Sequence, residues 1–418
     1  MKSFSFLHTA DLHLDSPFHG LQQIDSRMAR LLRESTFQAF DNVLDLALRR
    51  EVDFVLVAGD VYDGRDRSLR AQLKFNSGLQ QLAAAGIRSF VCHGNHDPLD
   101  GWSASLQWPS EVYVFGPHLE SVVVPVAGEP LVRIHGISYP HSQIDRSFGL
   151  GFRRMGREPF QIALFHCSVG EDPAHETYAP RSIADLQSAD LDYWALGHVH
   201  RQRILMHSQP FIGYPGNTQG RQIRESGARG CFLVEVNSSG QVQVTFEPVD
   251  AVRWLSKRVD ISTLEREVEL VEALERVCEE SRDQAESRPA IVRITLVGRG
   301  PLHASLRRPG FVEDLTEQIR ETGLREEKPV WVEKLVWHTS PAIDIASRRQ
   351  AADFIGETLR VIESYRGDYK GLLEVLQSLY HDRRGRIFLQ MPQQEELVDM
   401  IREAETLCLD ELIGGEGQ

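Results

Sequence analysis

Five short groups of residues with metal-binding side chains follow one another along the first half of the chain. Each group comes directly after a short apolar run that is typical of a buried β-strand. The side chains are carboxylates, imidazoles and one amide, with no thiolate, which hard divalent cations such as Mn²⁺ and Mg²⁺ prefer. The groups are Asp11 and His13; Asp60 and Asp63; Asn95, His96 and Asp97; His166; and His198 and His200. Strand ends meet at one edge of an open α/β sheet, so we expect these residues to lie close together.

The spacing within the groups also suits metal binding. Residues two apart on extended backbone point in the same direction, so Asp11 with His13 would act as a pair of ligands, and so would His198 with His200. A glycine precedes Asp60, and glycine lets the chain turn off a strand without a Cβ clash. Two ions roughly 3.5–4 Å apart that share a carboxylate can stabilise both the attacking and the leaving oxygen of a phosphoryl displacement.

Each group taken alone has an ordinary structural explanation. The segment from Asn95 to Asp97 suits an Asx turn, because Asn and Asp both favour turns. A single histidine such as His166 is most often a core residue, and a His-x-His pair most often lies in an exposed turn. These explanations do not predict that all five groups occur in order and after strands. We therefore interpret the groups as one metal site.

The set of motifs resembles that of the calcineurin-like metallophosphoesterase superfamily, in which D-x-H, G-D-x-x-D, G-N-H-D/E, H and G-H-x-H occur in this order. The resemblance implies two Mn²⁺ ions per chain, with Mg²⁺ as the alternative. It implies two ion sites that share Asp60, one completed by Asp11, His13 and His200 and the other by Asn95, His166 and His198.

The resemblance also assigns roles to three residues that are not ligands. It implies that His96 faces the scissile phosphate and stabilises it or protonates the leaving oxygen. Asp97 would orient His96, and Asp63 would support the site from behind. A histidine occupies the position of Asp63 in some nucleases of the superfamily, which leaves a direct role for Asp63 open.

Longer stretches around the motifs resemble SbcD-type DNA repair exonucleases and, within them, the YhaO-like branch. The stretches are residues 6–14, 193–200 and 214–220 for the first, and 177–180, 219–221 and 225–227 for the second. This resemblance implies a Mn²⁺-dependent DNA exo/endonuclease in DNA repair, paired with an SMC-like coiled-coil ATPase of the SbcC or YhaN type. A metallophosphoesterase for small phosphodiesters or nucleotides is the alternative. A scaffold without activity is a third, against which the seven intact ligand positions argue.

The resemblance further implies an α/β fold, a sandwich of two β-sheets flanked by helices, over residues 1–250. A pattern of strand, helix, strand, helix and strand predicts a small α/β capping domain over residues 251–340. The segment 298–303 resembles the G-R-T-x-L-H of such caps, with Gly300 where threonine is usual. His303 is therefore either a loop residue or a substrate contact.

Only helices are predicted over residues 341–418, at 348–364, 369–380 and 394–413. The last has apolar residues at helical spacing, namely Leu397, Ile401, Ala404 and Leu407. Two interpretations stay open. The helix either packs on its own capping domain or docks onto the ATPase partner, as C-terminal helices do in the nucleases that the chain resembles. A homodimer is also compatible with that family.

Charge is the main argument against a nucleic-acid partner. The chain has 46 Lys and Arg against 60 Asp and Glu, a formal net charge of −14, and DNA-binding proteins draw affinity from neutralising phosphates. Residues 393–418 alone contribute −7 and need not contact DNA. Arginines close to the motifs are the candidate DNA contacts, namely Arg65, Arg67, Arg201 and Arg221. We expect weak intrinsic DNA affinity that a partner strengthens.

Composition and the N-terminal sequence lead to an expected location. The five cysteines are scattered and form no Cys-x-x-Cys pair, which disfavours a zinc ribbon. No apolar run approaches the ~20 residues of a membrane span. Met1 leads directly into a predicted strand instead of a secretory signal. We expect a cytoplasmic protein without a membrane partner.

Overall fold

The computed structural model describes residues 1–16, 26–64, 67–126, 128–144, 148–170, 180–325, 327–381 and 394–414. Arg65, one of the candidate DNA contacts, lies outside the described residues, as does most of the segment 177–180. The chain divides into two compact units, one of residues 1–257, 274–294 and 316–335, the other of residues 258–273, 295–315 and 336–418. The domain boundaries at residues 250 and 340 stay predictions.

Six strands form the first sheet of the first unit. They are β1 (Phe4–Thr9), β2 (Phe54–Ala58), β3 (Arg88–Cys92), β4 (Val112–Val114), β11 (Gly230–Val236) and β12 (Val242–Pro248). Their order is β12-β11-β1-β2-β3-β4. β1 to β4 pair in parallel, whereas β11 pairs antiparallel with both β1 and β12. The parallel strands therefore end at the same edge.

Six further strands form the second sheet, in the order β5-β6-β7-β8-β10-β9. They are β5 (Glu120–Val126), β6 (Glu129–Gly136), β7 (Phe160–His166), β8 (Tyr193–Gly197), β9 (Arg203–Met206) and β10 (Phe211–Tyr214). β6, β7, β8 and β10 pair in parallel, and the two edge strands pair antiparallel.

The two sheets pack face to face over an aromatic core. Alternate residues of β1 show how the sequence builds this packing, because Phe4 and Phe6 lie in the layer between the sheets. Leu7 points to the opposite face, which is covered by helices. The Phe6 ring stacks on Phe54 at a centroid distance of 4.9 Å. Both faces of these strands are buried, and for this reason the strands appear in the sequence as continuous apolar runs.

The helices of the first unit cover the outer faces of the sheets. α1 (Ser26–Arg49) and α2 (Leu69–Ala84) pack their apolar stripes on the first sheet. The Ser68 hydroxyl begins α2 by accepting a hydrogen bond from the Ala71 N–H at 3.0 Å. α3 (Ile183–Ser188) lies on the second sheet, and a single 3₁₀ turn spans Ile223–Glu225. The predicted sandwich of two β-sheets flanked by helices is confirmed.

A three-stranded sheet follows in the order β13-β14-β15. Its strands are β13 (Arg253–Asp260), β14 (Ala290–Gly300) and β15 (Val330–Pro341), and its helices are α4 (Glu267–Gln284), α5 (Leu302–Leu306) and α6 (Phe311–Leu324). The sequence pattern predicted these three strands and two of the helices. The short helix α5 was not predicted.

The described residues of the C-terminal region form helices joined by short connections, as expected. They are α7 (Ile345–Gln350), α8 (Phe354–Tyr365), α9 (Tyr369–His381) and α10 (Gln394–Gly414). The prediction of one helix over residues 348–364 is wrong, because Asp353 adopts extended backbone and caps a new helix by accepting a hydrogen bond from the Gly356 N–H. In the described part of the chain, no helix has the length and apolarity that crossing a membrane requires.

The apolar positions of α10 divide between two environments. Leu397 and Ile401 are buried, and Leu409 packs with residues of α8. Ala404 and Leu407 are exposed. One part of the stripe therefore covers its own unit, and the other part faces outward.

Candidate metal centre

The ends of five strands bring the predicted ligands together. Asp11, Asp60 and Asn95 follow β1, β2 and β3 in the first sheet, whereas His166 ends β7 and His198 follows β8 in the second. The carboxyl ends of parallel strands lie at one edge of each sheet, and these two edges face each other across the sandwich. Most of these side chains are buried, which is unusual for carboxylates and imidazoles unless they are paired or bind a cation.

The first cluster contains Asp11, His13 and His200, whose ligand atoms all lie within 4.8 Å of one another. The Nε2 atoms of His13 and His200 are 3.1 Å apart. The Nδ1 atom of His200 lies 2.7 Å from the carboxylate of Glu225, and that of His13 lies 2.8 Å from the carboxylate of Asp63. A carboxylate can only accept a hydrogen bond, so His200 Nδ1 carries the proton and His200 Nε2 presents a lone pair. Two imidazole Nε2 atoms at this distance fit a cation between them.

The second cluster contains Asp60, Asn95 and His166. His166 Nδ1 donates a hydrogen bond to the Ala58 carbonyl at 2.9 Å, which leaves Nε2 as the ligand atom. That Nε2 atom faces Asn95 Oδ1 at 3.0 Å and Asp60 Oδ2 at 3.3 Å. The His198 ring lies edge-on to the His166 ring at 5.3 Å. Three ligand atoms again converge on one place, so these residues fit a second cation.

Asp60 lies between the two clusters. Its Oδ2 atom is 3.3 Å from His166 Nε2 and 3.8 Å from His13 Nε2. Its Oδ1 atom accepts a hydrogen bond from the His96 N–H at 3.0 Å. One carboxylate thus reaches the donors of both clusters, which is the geometry that a bridging ligand requires.

Burial and mutual contact shift the pKa values of these groups strongly. Burial raises the pKa of Asp11 to about 6 and lowers the pKa of His13 to about 4, and the charge of Arg221 adds to the second effect. Burial alone would raise the pKa of Asp60, but His166 holds it well below its usual range. Burial alone would also lower the pKa of His166, but Asp60 raises it to about 9. A proton on His166 thus balances Asp60, and a bound divalent ion would replace that proton as counter-charge.

The backbone at the candidate ligands is strained. Asp11, His13 and Asp60 have φ of 52°, 42° and 50°, and His198 has φ of 103°. Such values are uncommon outside glycine and collect at functional sites. The prediction that Asp11 and His13 lie on extended backbone is therefore wrong, and left-handed turns bring their side chains into one cluster instead.

Two glycines allow the close approach of the strands at this point. Gly59 has φ of 84°, and a Cβ there would overlap the His166 ring. A Cβ on Gly94 would overlap Asp60 Oδ1 and the same ring. Both positions exclude a side chain because residues of the second cluster lie directly against them.

The structure changes the expected environment of His96. The His96 side chain is 47% exposed, and its ring lies 5.2 Å from the His13 ring. Asp97 was expected to orient His96, and this prediction is wrong because the Asp97 carboxylate contacts other groups. Asp97 accepts hydrogen bonds from the N–H groups of Val61 and Gly94 and contacts His93 Nδ1 at 2.8 Å, so it fixes the loop backbone.

Asp63 lies behind the first cluster. Its carboxylate contacts His13, accepts a hydrogen bond from Ser16 Oγ at 2.7 Å and accepts another from Arg221 Nη1 at 2.7 Å. Its Oδ1 atom is 3.9 Å from His96 Nδ1. This position suits a supporting group, and the role stays a prediction.

The arginines proposed as DNA contacts differ in exposure and in the hydrogen bonds that they already make. Arg67 is 6% exposed, and its guanidinium donates hydrogen bonds to the carbonyls of Asp97 and Pro98. The structure therefore does not support a DNA contact by Arg67. Arg221 is held by Asp63 and Ser16. Arg201, next to His200 in the chain, is exposed and keeps its predicted role.

These environments predict different effects of two arginine substitutions. Arg67→Ala leaves two carbonyls without their donor, and we expect it to lower the free energy of unfolding by about 1–3 kcal/mol. Arg201→Ala should leave the melting temperature unchanged and weaken DNA binding at low salt. Thermal denaturation and a DNA titration check both. The assignment fails if Arg67→Ala weakens DNA binding while it melts like the wild type.

Sequence reasoning missed Glu225 as a functional residue. Glu225 is buried and contacts His200, and its second oxygen accepts hydrogen bonds from the Asn217 amide at 3.1 Å and the Arg221 N–H at 2.7 Å. The residues 225–227 carried a resemblance to the YhaO-like branch, but the sequence did not indicate that the acid among them lies against a ligand.

His303 belongs to the second unit. Its Nδ1 atom lies 3.1 Å from the Thr339 hydroxyl, and its ring lies edge-on to Trp337 at 6.0 Å. The expectation that His303 is a loop residue is wrong, because His303 lies in α5 (Leu302–Leu306). Its expected contact with substrate stays a prediction.

Comparison with known proteins decides the family. The sequence model of calcineurin-like phosphoesterases matches residues 4–202, and that of the middle domain of metallophosphoesterase YhaO matches residues 254–340. The uncharacterized metallophosphoesterase YhaO of Bacillus subtilis (strain 168) is 33% identical over 332 residues, which cover 79% of this chain and 81% of that protein. The chain belongs to the calcineurin-like metallophosphoesterases. The resemblance inferred from the motifs is thus confirmed, and the protein is a metal-dependent phosphodiesterase of the hydrolase class.

Two further relatives of this metallophosphoesterase carry names from DNA metabolism. The DNA double-strand break repair protein Mre11 of Aeropyrum pernix is 27% identical over 274 residues, covering 61% of this chain and 63% of that protein. A subunit of the nuclease SbcCD of Bacillus subtilis (strain 168) is 25% identical over 265 residues, covering 55% of this chain and 65% of that protein. The chain spans slightly less than two thirds of the length of each.

Proposed function

We propose that this metallophosphoesterase is a Mn²⁺-dependent DNA exo/endonuclease in DNA repair that hydrolyses phosphodiester bonds by a two-metal mechanism. The observation that carries the proposal is the position of Asp60 between two clusters of ligand atoms, Oδ2 being 3.3 Å from His166 Nε2 and 3.8 Å from His13 Nε2. The names of the Mre11 and SbcCD relatives support DNA as the substrate. Mg²⁺ is the alternative cofactor.

Some residues of the site would bind the cations, and others would contact the substrate. Two divalent ions would supply Lewis acidity at the phosphate and lower the pKa of water. Asp60 would be the residue that holds both ions, and the Ala58 carbonyl fixes the tautomer of His166. His96, whose ring is half exposed, is the group that protonates the leaving oxygen. Arg201 attracts the DNA backbone from the rim of the site.

A partner completes the activity in this proposal. The net charge of −14 works against tight binding of DNA by the protein alone. The partner is an SMC-like coiled-coil ATPase, and the name of the SbcCD relative describes a subunit of a nuclease complex. The exposed residues of α10, Ala404 and Leu407, provide an apolar contact for a coiled-coil helix.

The two environments along α10 allow docking to be tested without removing the helix. The double substitution Ala404→Glu and Leu407→Glu changes exposed positions only, and Leu407 is 63% exposed. We expect an unchanged melting temperature, normal hydrolysis of a simple diester and loss of co-purification with the ATPase.

Leu409→Ala is the matched control, because Leu409 is 2% exposed and packs within its own unit. We expect it to lower stability by about 2–5 kcal/mol while complex formation persists below the melting temperature. Unchanged co-purification of the double variant would contradict docking and would leave α10 as a helix that packs on its own unit.

A substrate panel tests the proposed function itself. The purified protein with Mn²⁺ is given end-labelled DNA, mononucleotides and bis-p-nitrophenyl phosphate, each also in the presence of EDTA. The proposal predicts metal-dependent cleavage of DNA and of the aryl diester but little release of phosphate from mononucleotides. Turnover of mononucleotides with intact DNA would instead support a metallophosphoesterase for small substrates.

A further inference from the structure

A carboxylate lies behind each of the rings of His13 and His200. Each has its Nδ1 atom against a carboxylate, at 2.8 Å from Asp63 Oδ1 for His13 and at 2.7 Å from Glu225 Oε1 for His200. Their Nε2 atoms point to a common place and are 3.1 Å apart. A carboxylate behind a metal-binding imidazole fixes its tautomer and ring orientation and makes it a stronger donor.

Arg221 joins these two carboxylates. Its Nη1 atom donates hydrogen bonds to Asp63 Oδ1 at 2.7 Å and to Ser16 Oγ at 2.9 Å. Its backbone N–H donates to Glu225 Oε2 at 2.7 Å, and its Nε atom lies 4.0 Å from the same oxygen. The Arg221 side chain is 17% exposed. One residue therefore contacts the support of His13 through its side chain and the support of His200 through its backbone.

The loop that carries Arg221 is itself tied to the site. Asn217 donates a hydrogen bond to Glu225 Oε2 at 3.1 Å, and Arg229 donates one to the Glu225 carbonyl at 3.1 Å. Arg229 also bonds the carbonyl of His200. The segment 217–229 thus folds around the buried carboxylate of Glu225. These contacts fix the backbone position of Arg221.

The second cluster is supported differently. His166 Nδ1 donates to the carbonyl of Ala58, a group of the β2 backbone that needs no side chain to hold it. The carboxylates that Arg221 contacts lie behind His13 and His200 instead. A change in Arg221 should therefore act on the first cluster and spare the second.

We propose that Arg221 is a positioning residue that holds Asp63 and Glu225 as one unit and thereby sets the affinity of the first ion site. This inference rests on the two-metal function proposed above. It replaces the expectation from the sequence that Arg221 is a DNA contact, because its guanidinium already balances the Asp63 carboxylate.

The test is a calorimetric titration of the full chain with Mn²⁺. The wild type should bind two ions. Arg221→Ala should retain one ion at wild-type affinity and bind the other about 10–100-fold more weakly, the usual effect of removing a group behind a metal ligand. Arg224→Ala removes an exposed arginine from the same loop and should leave both affinities unchanged.

A double substitution separates positioning from a direct effect. Arg221 acts through Asp63 in this proposal, so Arg221→Ala combined with Asp63→Ala should bind the first ion no more weakly than the more affected single variant. Additive losses would overturn the proposal. Arg221→Gln, which removes the charge but keeps a polar side chain beside Asp63, should weaken the same ion and serves as the test if Arg221→Ala does not fold.

DNA binding in EDTA distinguishes a positioning role of Arg221 from a direct contact with a DNA phosphate. Positioning predicts that Arg221→Ala binds DNA like the wild type without metal, whereas a phosphate contact predicts weaker binding. Wild-type affinity for both ions in Arg221→Ala would overturn the inference and leave the proposed function intact. A wild type that binds fewer than two ions would instead contradict the proposed function.

Discussion

Asp60→Ala is expected to bind neither of the two Mn²⁺ ions and to lose hydrolysis by on the order of 10³-fold or more, about 4 kcal/mol in the barrier. The physical reason is that Asp60 Oδ2 reaches both clusters, 3.3 Å from His166 Nε2 and 3.8 Å from His13 Nε2. Removal of this carboxylate takes one donor from each ion and the negative charge that both share. A Mn²⁺ titration and the initial rate on DNA measure the two effects.

Asp192→Ala is the control for a loss of buried charge in general. Asp192 is also buried, at 9% exposure, but it directly precedes β8 and pairs with Arg154. We expect this variant to melt at a lower temperature and to keep both ions. If Asp60→Ala retains one ion at full affinity, Asp60 does not bridge and the assignment of two sites that share it is wrong.

His96→Ala is expected to lower the rate of DNA hydrolysis by about 10²–10⁴-fold, the usual contribution of a positioned general acid, while two Mn²⁺ ions remain bound. The His96 ring is half exposed and lies 5.2 Å from the His13 ring, so it can face a substrate without filling a ligand position. A diester with a p-nitrophenolate leaving group needs no protonation, and the defect should shrink on that substrate.

The control for His96 is His141→Ala. His141 is an exposed histidine that pairs with Asp100 outside both clusters, and its removal should change neither rate nor ion binding. The alternative role of His96 is that of a metal ligand, because the ligand atoms of His13, Asp63 and His96 also lie within 4.8 Å of one another. If His96→Ala loses an ion, His96 is a ligand and its assignment as the proton donor is wrong.

The parts of the fold that carry the site were predictable because they are buried on both faces. β1 and β2 are the apolar runs that precede the groups of Asp11 and Asp60, since strands between two covered layers are continuously apolar. The chemistry of the side chains at their ends indicated the metal site. Strand ends converge in any sandwich of this kind, so the type and order of residues sufficed.

The environment of each site residue was not predictable in the same way, because it depends on contacts between distant segments. Arg221 and Asp63 are 158 positions apart, and their hydrogen bond has no local signal. The charge of Arg67 suggested exposure, but two loop carbonyls hold it inside. The left-handed backbone of Asp11 and His13 is imposed by the tertiary structure against the intrinsic preference of these residues.

The release of labelled nucleotides from end-labelled DNA by wild-type protein and by Asp60→Ala, at saturating Mn²⁺, tests the central claim most directly. The proposed function predicts release by the wild type, none in EDTA and a loss of on the order of 10³-fold in the variant. Equal release by the two proteins, or intact DNA beside rapid turnover of mononucleotides by the wild type, would contradict it.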